Sequence, residues 1–109
     1  MNFIEQIVKD IDTFTYRDRA SMDLFEMAIE KEWGTRLLLA KEIYHTEQVY
    51  FDREVEAELN LLDSLLDYYL SIEEFERCSK LKSLLERLRS ENGVDSFITD
   101  FIKRNDIIF

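Results

Sequence analysis

No proline occurs anywhere in the chain, and only two glycines, Gly34 and Gly93, interrupt its 109 residues. A β-sandwich or barrel needs turn residues every 8 to 12 positions or so. That supply is missing here. The expected fold is therefore all-α: one domain spanning residues 1–109, a small bundle of four or five helices. The apolar share is 46%, with eight Phe, five Tyr and one Trp, enough to fill a core without disulfides or metals. The 35% of charged residues suits amphipathic helices with solvated outer faces.

Cys78 is the sole cysteine, so no intramolecular disulfide can form and a reducing, cytoplasmic setting is expected. No apolar run approaches the ~18 residues of a membrane-spanning helix, so no membrane partner is expected. The start, Met1-Asn2-Phe3-Ile4-Glu5, lacks the basic region of a secretion signal. Charge is distributed unevenly: the net is −2 over residues 1–41, −9 over 42–74 and +1 over 75–109. An anionic middle third disfavours direct docking on nucleic-acid phosphates, which calls for a cationic face. A protein partner with a basic surface is compatible.

Asn2 is placed to cap a first helix with apolar positions Phe3, Ile4, Ile7, Val8 and Ile11, a 3.6-residue stripe. Thr13 to Arg19 reads as a connection. Ser21 is placed to cap a second helix, with Leu24, Phe25, Ala28 and Ile29 inward and an end near Trp33-Gly34. From Thr35 to Leu70 no breaker occurs, and either one long helix or two with a kink at Tyr50-Phe51-Asp52 fits. Val55, Leu59, Leu62, Leu65, Leu66 and Tyr69 form the clearer stripe. Ser71 and Glu74 have capping-box spacing, and Leu70 and Phe75 then occupy the hydrophobic-staple positions. A further helix burying Phe75, Cys78, Leu81, Leu85 and Leu88 follows to Asn92-Gly93, making residues 59–88 an antiparallel hairpin. A short last helix, opened by Asp95 or Ser96, presents Phe97, Ile98, Phe101 and Ile102.

The segment Glu74-Phe75-Glu76-Arg77-Cys78-Ser79-Lys80-Leu81-Lys82-Ser83-Leu84-Leu85 resembles the second helix of the UVR motif, found in bacterial excision-repair subunits and some protease adaptors. Glu74, Phe75, Glu76, Leu81, Lys82 and Leu85 fit that pattern. Cys78 and Ser79 replace its usual alanines and Lys82 its usual arginine, and the resemblance covers roughly residues 55–90. It implies association with another protein's hairpin. A tightly packed hairpin of any origin would also want an aromatic staple, small residues and leucines here.

Four further groups are site candidates. Glu42 and His45 have the Glu-x-x-His spacing of carboxylate metal sites on one helix face, although His45 is the only histidine and a solvated pair is the plainer reading. Asp52, Glu56, Asp63 and Asp67, flanked by Glu54 and Glu58, fall within about 60° on a helical wheel. They make either a solvated face or an anionic stripe for a basic partner. The apolar end Ile107-Ile108-Phe109 is either core or a docking element. Trp33, Tyr44, Tyr50 and Phe51 are either core or an aromatic interface. No nucleophile–base pair or phosphate loop is evident.

The expected function is non-enzymatic and without cofactor: a small acidic adaptor or regulator binding another protein through helical faces, and pairing with itself as a two-fold homodimer. Two alternatives stand beside it. One is an acidic, nucleic-acid-mimicking inhibitor of a nucleic-acid-binding protein, of the phage counter-defence type; the other is a dimeric metal-binding bundle using Glu42 and His45.

Overall fold

The apolar stripes become five helices in the computed structural model, which describes residues 3–14 and 22–105. They are α1 (Phe3–Phe14), α2 (Met22–Ile43), α3 (Gln48–Ser71), α4 (Phe75–Arg89) and α5 (Gly93–Arg104). Among the described residues there is no strand, and none of these helices is long and apolar enough to cross a membrane. The all-α bundle expected from the breaker-poor sequence is what forms. Asn2, Ser21 and Ile107 to Phe109 lie outside the described residues.

Helix α2 is the hub, touching all four others, while α1 lies against α2 and α3, and α5 against α2 and α4. The α2–α3 pair is antiparallel: Trp33 Nε1–H donates to the Glu58 carbonyl oxygen (3.1 Å), and the Phe25 ring meets Tyr69 edge to face with centroids 5.5 Å apart. The α3–α4 pair is the most extensive and also antiparallel, with Cys78 beside Leu66 and Arg89 paired to Asp63. The longest dimension, 40 Å, is close to the ~36 Å expected of the 24-residue α3 at 1.5 Å per residue. Trp33, Phe25, Leu37, Leu62, Leu65 and Leu81 are fully buried at the centre.

Four boundaries differ from expectation, each for a physical reason. Helix α2 does not end at Gly34 but runs through it to Ile43. A Cβ there would lie 2.2 Å from Cδ2 of Phe101, so Gly34 is the notch that lets α5 seat against α2. The long stretch after it is neither one helix nor kinked at Tyr50 to Asp52. It breaks at Tyr44–Glu47, where Glu47 N–H donates to the Tyr44 carbonyl (2.9 Å) and Tyr44 stacks on Tyr50 (6.1 Å). Reversal there lets α3 fold back on α2, so that Tyr69 meets Phe25 and Glu58 meets Trp33; a straight rod could make neither contact. Helix α5 begins at Gly93, ahead of Asp95 and Ser96, because left-handed Asn92 (φ 57°) turns the chain into the helix there, and Gly93 fits where an added Cβ would fall 1.9 Å from the Arg87 carbonyl oxygen.

The fourth correction is the hairpin turn. Ser71 is the last residue of α3, not the cap of α4, and its Oγ–H donates to the Tyr68 carbonyl (2.6 Å). The chain closes instead through its backbone. Glu73 N–H donates to Leu70 O (3.1 Å), Glu74 N–H donates to Tyr69 O (2.9 Å), and Glu73 adopts a left-handed φ of 60°. These two bonds make a Schellman closure. Glu74 then stands at the N-cap of α4, without a side-chain cap bond. The whole register lies three residues beyond the capping-box reading.

Two charged side chains enter the core. Arg77 is held between the rings of Phe25 (4.7 Å) and Tyr69 (5.4 Å) and donates to Asp12 (3.3 Å) and the Tyr69 hydroxyl (3.4 Å). One guanidinium thus ties four helices together through cation–π and hydrogen-bond contacts. Burial pushes the Tyr69 hydroxyl up to about 12, against the pull of Arg77. Glu58 faces Arg36 across the α2–α3 seam (3.5 Å), while Arg36 also pairs with Glu32 (2.8 Å). Burial raises the Glu58 carboxyl above its usual range, and Arg36 offsets only part of the rise.

Candidate functional site

At the far end of the α3–α4 hairpin, large apolar side chains meet water. Phe75 is 63% exposed, Leu70 53% and Ile72 49%. These include both residues of the expected staple. On a wheel of 100° per residue, Leu70 lies about 110° from the centre of the buried face of α3 and Phe75 about 120° from that of α4. Because the turn closes by backbone bonds, neither side chain is needed to clasp it. Both project outward over six residues of chain.

The surroundings of this tip are anionic. Asp67, Glu73, Glu74 and Glu76 are exposed, while the nearest base in sequence, Arg77, is turned inward to Asp12 and Tyr69. Lys80 is engaged by Glu26 (3.1 Å). The left-handed Glu73 adds backbone strain at the same point, where a non-glycine residue costs roughly 1–2 kcal/mol. The tip is thus an apolar protrusion ringed by carboxylates. Such a surface suits insertion into an apolar cleft with a basic rim.

The remaining candidates are dispersed. Glu42 ends its role on α2 one residue before the helix stops at Ile43, and His45 falls in the turn beyond, its Nδ1 3.1 Å from the Glu42 carbonyl oxygen. The pair therefore does not share a helix face, which the metal-site spacing presupposed. Among the described residues no group of three or more His, Cys, Asp or Glu is placed to hold a metal ion. The acidic stripe stays on α3, but only part of it is free. Glu58 turns into the core, Asp63 is held by Arg89, and Asp52 accepts from Gln48 Nε2 (2.7 Å). Glu56 and Asp67 remain exposed, and Glu54 is half-buried. The aromatic group divides as well: Trp33 and Phe51 are core, Tyr44 is half-buried and Tyr50 exposed. Cys78 is buried, and burial pushes its thiol up, away from the reactive thiolate.

The periodicity in α4 contained the clue to the tip. Arg77, Cys78, Leu81, Leu84, Leu85 and Leu88 define its inner face, and Phe75 lies off it. The staple pattern masked that offset. No family model, no curated protein and no solved structure matches this chain.

Proposed function

We propose that the protein is a small acidic, non-enzymatic interaction protein, an adaptor or regulator, that engages another protein through the tip of the α3–α4 hairpin. The observation that carries this reading is the exposure of Leu70, Ile72 and Phe75 together at one turn, ringed by four carboxylates. Burying three such side chains is worth about 1.5–3 kcal/mol each when fully desolvated, on the scale of an interface hot spot. The resemblance to the UVR motif supports the same use, since Glu74, Phe75, Glu76 and Lys82 of that pattern are all exposed here while Leu81 and Leu85 hold the hairpin together. The expected partner surface is apolar with a basic rim.

The test is affinity capture from the native host with the wild-type chain and with a Leu70→Ser, Ile72→Ser, Phe75→Ser variant, both checked for helicity. A partner retained by the wild type and lost by the variant supports the reading. Equal recovery by both would refute it.

A further inference from the structure

The opposite end of α3 carries a second apolar surface with chemistry of its own. Leu39 and Ile43 on the last turns of α2, and Val49 and Tyr50 on the first turn of α3, are each more than half exposed. Tyr50 stacks on Tyr44, which ties the two helix ends into one corner. Beside this corner lies an open cavity of about 480 Å³ lined by Leu38, Lys41, Glu42, His45 and Ile102. Leu38 and Ile102 are half-buried there and pack against the core. The cavity is about large enough for a bulky apolar side chain to enter.

The charge around the corner selects what can dock. Residues 38–56 hold five acids and two bases. Of the bases, Lys41 is engaged by Asp95 (3.7 Å), and the Arg53 guanidinium lies over the Tyr50 ring (5.9 Å). Glu42, Glu47 and Glu56 are exposed, and among the described residues no ion pair bridges them to a base. A second copy of this chain would bring its own −10 charge against the same carboxylates. We infer that the α2–α3 corner binds a basic amphipathic segment, one apolar side chain entering the Leu38–Ile102 cavity and flanking Lys or Arg meeting Glu42, Glu47 and Glu56. Such docking follows helix-in-groove recognition with electrostatic complementarity. Because α3 is ~36 Å long, a chain engaged at both the corner and the hairpin tip would hold two partners apart along its length. The corner does not depend on the tip reading.

The probe is a synthetic 14-residue peptide with Leu at helical i, i+3, i+4 and i+7 positions and Lys elsewhere, titrated into isotope-labelled protein by NMR. A matched peptide with Glu in place of Lys is the charge control. Shifts are expected in residues 38–50 and at Ile102. Ile43→Ser with Tyr50→Ser should weaken binding at least tenfold without changing net charge, and Leu39→Ser is a second, milder variant should the pair unfold the helix ends. Phe75→Ser should leave this binding unchanged. Undiminished affinity in the serine variants would show attraction by charge alone and overturn the inference. Equal binding of the Glu peptide, or shifts confined to residues 70–76, would overturn it as well; the last result leaves the tip reading standing. Light scattering that gives twice 13.1 kDa for the wild type, and the monomer mass for the serine variant, would assign the corner to a second copy and also overturn it.

Discussion

Gly34→Ala opposes two effects of known sign at one atom. Alanine in a helix interior is favoured over glycine by about 1 kcal/mol, and α2 is helical on both sides of this residue. The added Cβ would lie 2.2, 2.5 and 2.6 Å from three ring carbons of Phe101, against an ordinary carbon–carbon contact of about 3.5–4.0 Å. The ring must retreat by more than 1 Å, and half-buried Phe101 then loses part of its seat on α2. Overpacking of this kind costs typically 1–3 kcal/mol, and contacts this short belong at the upper end. The net expectation is a loss of about 2 kcal/mol, or roughly 8–16 °C in melting temperature for a domain of about this size. Urea denaturation in a Phe101→Ala background supplies the second half of the cycle. There the obstruction is gone, and Gly34→Ala should stabilise by about 1 kcal/mol. A sign reversal between backgrounds is the expected signature. If Gly34→Ala stabilised both backgrounds equally, α5 would not pack on this notch and the placement of Gly34 would need another cause.

Four other perturbations follow from buried titratable groups and from the turn. Glu58→Gln should be neutral or stabilising at pH 7, since the folded-state carboxyl is raised above its unfolded value and its ionised form is disfavoured in the fold. The penalty is present above the folded pKa and relieved as pH falls below it, so the gap between variant and wild type should narrow in urea titrations toward pH 4.5; a gap that widens would contradict this. Tyr69, raised to about 12, keeps its proton in the fold after the unfolded chain has lost it near 10. Stability should therefore fall between pH 10 and 12, by on the order of 2–3 kcal/mol, and Tyr69→Phe should abolish that alkaline loss. Glu73→Gly should stabilise by roughly 0.5–1 kcal/mol, by relieving the left-handed φ at some entropic cost. Ser71→Ala should change denaturation midpoints little, whereas a true N-cap would lose about 1 kcal/mol.

Helix count and the inward stripes were legible because burial follows period: Ile7 and Ile11, Phe25 and Ile29, Leu62 and Leu65, Leu81 and Leu85 are all buried as spaced. Boundaries were less legible wherever tertiary contact overrode local preference. Gly34 looks like a stop until Phe101, far along the chain, is found occupying its missing side chain. The reversal at Tyr44–Glu47 contains no Gly or Pro, and it is the antiparallel packing of α3 on α2, with Trp33 on the Glu58 carbonyl and Phe25 against Tyr69, that requires it. Glu58 belonged to an apparent acidic stripe because its partner Arg36 lies on another helix. The tip was hidden by a good pattern: Ser71, Glu74, Leu70 and Phe75 satisfy a capping motif by spacing, while backbone bonds from Glu73 and Glu74 close the turn without them.

The proposed docking role requires Phe75 to be free for a partner and not needed by the fold. The most direct measurement pairs calorimetric unfolding of Phe75→Ala with titration of the captured partner against the same variant. The side chain is exposed, so the unfolding midpoint should move by no more than about 4 °C, in line with surface substitutions of within ±0.5 kcal/mol, while affinity falls tenfold or more, about 1.4 kcal/mol. A midpoint lowered by the several kcal/mol of a buried Phe→Ala change, or a partner bound as tightly as before, would contradict the claim.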